Sequence, residues 1–76
     1  MNQSRRRTLQ KAREMLEHAS DLVTQTRDEE QDSLENLPDG IQESERGQKM
    51  EEAIDAMDSA MDSITEAIEY LEEAAH

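Results

Sequence analysis

Residues 50–76 read MEEAIDA, MDSAMDS, ITEAIEY and LEEAAH, one heptad written almost four times. The first place always holds a large apolar residue (Met50, Met57, Ile64, Leu71), and the fourth place always holds alanine. A sustained heptad of this kind lets a helix keep one continuous stripe against a partner helix. The stretch therefore predicts a long helix of the coiled-coil type.

A less regular copy of the same heptad precedes it, in residues 9–36, as LQKAREM, LEHASDL, VTQTRDE and EQDSLEN. The two copies are separated by Leu37-Pro38-Asp39-Gly40, where proline presets φ and glycine accepts a positive φ, so a turn is expected. Ser44 is the expected N-cap of the second helix. The sequence predicts one domain, residues 1–76, with helices at about 4–36 and 45–74 and a loop at about 37–44.

Two helices joined by a short loop are expected to fold back on each other, so the predicted fold class is all-α, an antiparallel two-helix coiled-coil hairpin. A loop centred near residues 41–42 makes the numbers of facing residues add up to about 83. Large first-place residues then face fourth-place alanines, as Val23 faces Ala60. The contact is expected to weaken toward the turn, where Glu30 would lie in water or need a basic partner.

Further apolar residues flank this contact at heptad spacing and form the predicted interface with a partner: Met15, Leu22, Ile54, Met61 and Ile68. Two helices in contact bury mainly the stripe between them, so these flanks need another surface. The simplest surface is a second copy of the chain, giving a homodimeric four-helix bundle. The alternative is that these flanking residues are only partly covered within a monomer.

The net charge of −12 is unevenly spread along the chain. Residues 1–27 hold six basic and three acidic residues, whereas residues 28–76 hold two basic and seventeen acidic residues. Such a chain is expected to repel nucleic acid over most of its surface and to attract basic partners. The absence of cysteine, of an apolar run of about 20 residues and of a signal peptide predicts a cytoplasmic protein that does not insert in membranes.

Signatures of catalysis are missing. The chain has no glycine-rich phosphate loop, and His18 and His76 lie on a polar face and at the terminus. A thin hairpin offers no pocket in which such groups are desolvated, and the inward Glu-x-x-His pairs of a di-metal bundle are absent. We therefore expect no catalytic, cofactor-binding or metal-binding residues.

A row of carboxylates marks the outer face of the second helix: Glu51, Glu52, Asp55, Asp58, Asp62, Glu66, Glu69, Glu72 and Glu73. These nine acids span 23 residues, or roughly 34 Å at ~1.5 Å per residue. Their spacing of about 4 Å is close to the ~3.4 Å between phosphates along one DNA strand. The row could therefore occupy a nucleic-acid channel on another protein, or it could serve solubility alone.

A basic patch, Arg5, Arg6, Arg7, Lys11 and Arg13, lies near the start of the chain. It is short and has no interleaved aromatic residues, so direct nucleic-acid binding ranks last among the hypotheses. In the predicted register these residues lie beside the acids of residues 66–73. Partial neutralisation of those acids is the favoured interpretation.

The segments RDEEQ (residues 27–31), NLPDGIQESERG (36–47) and MEEAID (50–55) resemble small uncharacterised proteins encoded by phages and mobile elements of Gram-positive bacteria. The resemblance covers roughly residues 27–74 and implies no site residues. It does imply a genomic setting in which small acidic proteins, including anti-CRISPR proteins, inhibit host nucleases. This is an analogy between settings.

The leading hypothesis is a non-enzymatic module that dimerises and binds a protein with a basic surface, such as a host nuclease or another nucleic-acid-binding protein. The alternative is a structural or regulatory dimerisation module whose charge serves only solubility.

Overall fold

The computed structural model describes residues 1–76 and is entirely helical, with no strand. The helices are α1 (Gln3–Glu35), α2 (Asp39–Gln42) and α3 (Glu45–Ala75). The all-α fold class is therefore confirmed. Helix α1 begins one residue before the predicted start, and the segment predicted as a loop contains the short helix α2.

Local hydrogen bonds define where α1 and α3 begin. The Asn2 side chain accepts from the Arg5 backbone N–H at 2.8 Å and caps α1. Ser44 occupies the N-cap position of α3, but its hydroxyl donates to the Ile41 carbonyl and caps no N–H group of α3. Glu45 places a carboxylate in the first turn of α3, where the helix dipole favours negative charge.

The connection between the long helices differs from the turn expected of Pro-Asp-Gly. No residue has a positive φ, and Gly40 lies within α2. The conformational role predicted for Gly40 is therefore wrong, because the chain continues as a helical turn after Pro38. The Gln42 side chain amide closes this connection by donating to the Leu37 carbonyl at 3.0 Å and to the Glu35 carbonyl at 3.4 Å.

Gly47 is the glycine that the connection requires. It is buried, and a Cβ at this position would overlap the Gln42 carbonyl oxygen and lie 2.6 Å from the carbonyl carbon. A Cβ at Gly40, by contrast, would meet nothing within 4 Å. The first turn of α3 therefore packs directly against the backbone at the end of α2, which fixes how α3 leaves the connection.

Helices α1 and α3 lie side by side as an extended pair of 58 × 14 × 12 Å. Three polar contacts join them: Arg13 to Glu72 at 3.4 Å, Thr24 to Met61 at 3.7 Å and Arg27 to Asp58 at 2.9 Å. In each contact the two residue numbers add up to 85, and higher numbers on α1 meet lower numbers on α3.

The stripe buried between the helices uses different heptad places from those predicted. Along each long helix, a stripe of buried and half-buried residues recurs at alternating spacings of three and four. These residues occupy the first and fifth heptad places. On α1 they are Leu9, Arg13, Leu16, Ser20, Val23, Arg27, Glu30 and Leu34; on α3 they are Gly47, Met50, Ile54, Met57, Met61, Ile64, Ile68, Leu71 and Ala75. We call these residues the seam.

The prediction that fourth-place residues form the seam is wrong at several positions. Thr26, Ala60 and Ala74 are exposed, so Val23 does not bury itself on Ala60. The physical reason is that the fifth places of α3 hold larger apolar side chains than alanine. Turning Ile54, Met61 and Ile68 inward removes more apolar surface from water than turning the alanines inward would.

The turn end of the helix pair is its most buried part. Leu34 is 8% exposed, Ile54 is 5% exposed, and Gly47 is the third buried residue of the chain. The predicted weakening of the contact toward the turn is therefore wrong. Glu30 is half-buried there and forms no ion pair, while it lines a shallow surface groove with Arg46 and Lys49.

Candidate functional site

The carboxylates predicted along α3 divide into two groups. Asp58 and Glu72 turn toward α1 and form ion pairs with Arg27 and Arg13. The others are exposed and form no ion pair, and we call them the acidic row: Glu51, Glu52, Asp55, Asp62, Glu66, Glu69 and Glu73. Seven unneutralised negative charges therefore remain available along this helix.

Helix α1 adds carboxylates to the same side of the molecule. Asp58 on α3 and Thr24 on α1 occupy second heptad places, and each contacts the opposite helix. The second places of the two helices therefore lie on the same side of the pair. The sixth places lie beside them on that side. From residue 14 to residue 35 on α1, and from residue 55 to residue 69 on α3, every sixth place is acidic. On α1 these exposed residues are Glu14, Asp21, Asp28 and Glu35. Together with the acidic row they form what we call the acidic face.

Sequence reasoning missed the carboxylates of α1 because it considered α3 alone. The sixth-place periodicity of the acids was a usable signal, since residues seven apart share one face of a coiled-coil helix. Their inclusion makes the negative surface two helices wide instead of a single row.

Arg27 is the best-connected charge between the helices. Its Nε–H donates to Asp58 Oδ1 at 2.9 Å, and its Nη1 lies 3.6 Å from Asp28. The hydrogen bond with Asp58 raises the pKa of the Arg27 guanidinium, and both carboxylates add a favourable charge interaction, while desolvation acts in the opposite direction. Arg27 therefore stays charged and ties α1 to α3 at the edge of the acidic face.

Arg13 has the corresponding position two heptads earlier. Its guanidinium lies 3.4 Å from Glu72 and 3.8 Å from Glu17, and its Nη1 donates to the Gln10 side chain at 3.2 Å. Its Nε is buried without a hydrogen-bond partner. The predicted neutralisation of the C-terminal acids by the basic patch is therefore carried by Arg13.

The rest of the basic patch is free. Arg5, Arg6, Arg7 and Lys11 are exposed and form no ion pair with either helix.

The side of the pair opposite the acidic face carries no charge over most of its length. It consists of the fourth and seventh heptad places, which between residues 12 and 26 and between residues 53 and 74 are all uncharged. We call this surface the uncharged face: Ala12, Met15, Ala19, Leu22, Thr26, Ala53, Ala56, Ala60, Ser63, Ala67, Tyr70 and Ala74. It contains the three exposed large apolar side chains of the long helices, Met15 at 67%, Leu22 at 52% and Tyr70 at 61% exposure.

The residues predicted as a dimer interface fall into two different places. Met15 and Leu22 are exposed on the uncharged face. Ile54 is buried in the seam, and Met61 and Ile68 are partly buried there. Ile54 therefore leaves almost no surface for a partner, and that part of the interface prediction is wrong because the seam lies one heptad place from where the alanines suggested.

The remaining observations concern metal binding, membrane spans and similarity to known proteins. No group of three or more histidine, aspartate and glutamate side chains is arranged to hold a metal ion. Neither long helix has a stretch apolar enough to cross a membrane. Comparisons with protein-family models, with curated proteins and with solved structures find no match. The observations that bear on function are therefore the acidic face and the uncharged face.

Proposed function

We propose that this chain is an antiparallel coiled-coil hairpin that acts without catalysis, by presenting its acidic face to a protein with a basic surface. The antiparallel arrangement is supported by the contacts Arg13–Glu72 and Arg27–Asp58, in which the chain order on the two helices is opposed. It is also supported by Gly47, which lets α3 start against the backbone of Gln42 and so reverse the chain within a few residues.

The observation that carries the functional proposal is the unneutralised acidic row. An ordinary exposed helix mixes charges of both signs and gains i,i+4 ion pairs. On α3 the only such pair is Glu45–Lys49, in the first turns. Seven exposed carboxylates then continue to Glu73, and no basic residue follows Lys49 on this helix. Their mutual repulsion disfavours the fold and is relieved when a basic surface binds.

The partner that fits this surface best is one that normally holds nucleic acid. Its basic channel would meet seven carboxylates over residues 51–73 of α3, about 5 Å apart at ~1.5 Å per residue, which is wider than, but of the same order as, the ~3.4 Å per phosphate of one DNA strand. A phage or mobile-element origin and an inhibitory role against a host nuclease, by analogy with anti-CRISPR proteins, belong to this proposal. So does a cytoplasmic site of action.

A regulatory or structural dimerisation module is the second candidate. The uncharged face with Met15, Leu22 and Tyr70 exposed favours it. In that case the acidic face serves only solubility, and a charge reversal there leaves the activity unchanged.

The test is a pull-down from a bacterial lysate at about 50 mM and about 500 mM salt, read by mass spectrometry. A partner that binds the acidic face is lost at the higher salt, because complementary charge drives association and salt screens it. Recovered partners are then offered duplex DNA and RNA, which should compete with this chain for binding.

A pair of triple variants separates the acidic row from net charge. Asp55→Lys, Asp62→Lys and Glu69→Lys should together abolish capture of that partner. The matched control reverses three exposed acids outside the acidic face: Asp32→Lys, Asp39→Lys and Glu43→Lys. The control has the same net charge and should retain most of the binding. Equal loss in both variants, or capture that is indifferent to salt and to nucleic acid, contradicts the proposal.

A further inference from the structure

The uncharged face is the surface of the molecule that the acidic-face proposal leaves without a role. It runs along both helices and holds Met15, Leu22 and Tyr70, each more than half exposed. The other exposed large apolar residues, Met1 and Ile41, lie outside α1 and α3. Exposure of large apolar side chains is thus confined, on the long helices, to one side of the pair.

We infer that the uncharged face binds a second copy of this chain, through Met15, Leu22, Tyr70 and the alanines between them. This inference rests on the antiparallel arrangement proposed above, but it does not depend on the acidic face having a partner. Three observations select a second copy as the occupant, and they concern charge, area and shape.

Charge restricts how two copies can approach. Each chain carries a net charge of −12, so contact through the acidic face is strongly repulsive. The uncharged face lies on the far side of each pair, so two copies joined there hold their acidic faces apart on opposite sides of the bundle. Contact through this face places uncharged residues of one copy against uncharged residues of the other.

The area of the face sets how much surface two copies can bury. The uncharged residues of α3 run from 53 to 74, roughly 32 Å at ~1.5 Å per residue, and the pair is 14 Å wide, so the face has a projected area of roughly 450 Å². This is about half of the roughly 800 Å² that each partner buries in a standard protein–protein interface, so it fits a small dimer interface. The chain itself buries only Leu34, Ile54 and Gly47, so it gains much from a second layer of helices.

The shape of the face is complementary to itself. With a twofold axis parallel to the helices, α1 of one protomer lies on α3 of the other at the same level along the pair. Because contacting residue numbers add up to 85, Leu22 is level with Ser63, between Ala60 and Ala67. Leu22 therefore falls where the partner offers small residues, which is the interdigitation that close packing requires. Met15 falls level with the partner's Tyr70, where a thioether can pack against an aromatic ring.

The test measures the oligomeric state by light scattering and analytical ultracentrifugation at tens of micromolar. Ala60→Glu and Leu22→Glu place a charge in the centre of the proposed contact, and each should raise the dimer dissociation constant roughly a hundredfold or more. The matched controls, Ser59→Glu and His18→Glu, add glutamate at neighbouring exposed positions outside the uncharged face and should remain dimeric. Circular dichroism of each variant shows whether the helices persist.

The result expected is a dimer for the unaltered chain and both controls, and helical monomers for the two test variants. A helical monomer for the unaltered chain overturns the inference, as does a dimer that withstands both test substitutions. The triple lysine variant of the acidic row should still dimerise. An unaltered chain that is monomeric and still captures its partner in a salt-sensitive way would therefore reject this inference and leave the acidic-face proposal intact.

Discussion

Arg27 Nε donates a hydrogen bond to Asp58 Oδ1 at 2.9 Å, across the two long helices. The contact neutralises one acid of α3, whose side chain stays 47% exposed, and gives it a structural role. It also brings a seam residue of α1 to the edge of the acidic face. A single ion pair thus marks both the register of the helices and the boundary of the candidate site.

We expect Arg27→Met and Asp58→Asn each to lower the melting temperature, and the double variant to lose less than the two single losses combined. The reason is that each single change already removes the shared hydrogen bond. Thermal unfolding of the four proteins, followed by circular dichroism, measures the coupling. Fully additive losses would mean that the two residues do not interact in solution.

The pH dependence of this pair follows from the raised pKa of Arg27. A basic group whose pKa is raised on folding contributes its full stabilisation below the pKa of the unfolded chain, and loses it as the pH rises through the folded value. Both values lie far into the alkaline range. The stability difference between the unaltered chain and Arg27→Met should therefore be constant from about pH 7 to about pH 10. A difference that disappears within this interval would refute the assignment.

Gly47→Ala should destabilise the chain by at least about 1–3 kcal/mol, because the added Cβ overlaps the backbone of Gln42 and a rigid neighbour cannot yield. Gly40→Ala is the matched control. It has open space around it and no positive φ, so it should be neutral or stabilising by up to about 1 kcal/mol. Urea unfolding measures both. Equal effects of the two substitutions would argue against the close contact at Gly47.

Ile54→Ala should cost about 2–5 kcal/mol, the range for deleting a large aliphatic side chain from a packed site. Ile54 is 5% exposed within the single chain. Ser59→Ala, on the exposed outer surface of α3, should change the stability by no more than about 0.5 kcal/mol. Chemical denaturation compares them. A silent Ile54→Ala would place this residue outside the seam.

Added salt should raise the melting temperature of the unaltered chain. The carboxylates of the acidic face repel one another, and the Debye length falls from about 30 Å at 0.01 M to about 10 Å at 0.1 M salt. The triple lysine variant of the acidic row should show a smaller rise. A melting temperature that falls with salt would mean that ion pairs outweigh the repulsion.

The sequence predicted the two long helices well because the heptad is regular and the break at Pro38 is unambiguous. It did not predict the seam correctly. An alanine stripe is compatible both with close packing and with exposure. In addition, the fifth places of α1 include the polar residues Arg13, Ser20 and Arg27, so the sequence does not show that these places face α3. Arginine is tolerated there because its aliphatic stem packs along α3 while its guanidinium reaches an acid at the edge.

Because the seam was not predicted correctly, only part of each candidate surface could be predicted from the sequence. Seven of the nine acids assigned to the outer side of α3 are exposed and unpaired. The other two, Asp58 and Glu72, form ion pairs with α1, which the sequence did not predict. Met15 and Leu22 were assigned to a free surface on their spacing, and both are exposed. Ile54 was assigned to it on the same spacing, and only the seam register shows that it faces inward.

Both faces depend on how α1 and α3 are aligned, so the most direct test of the account is a crosslink between them. The chain has no cysteine, and Thr24 Oγ1 lies 3.7 Å from Met61 Sδ. Thr24→Cys with Met61→Cys should form a disulfide within one chain under mild oxidation, detected by mass spectrometry and by a gel without reductant. Thr24→Cys with Ile68→Cys should not, since the heptad between positions 61 and 68 adds roughly 10 Å along the axis. Efficient crosslinking of the second pair and not the first would contradict the arrangement on which both faces rest.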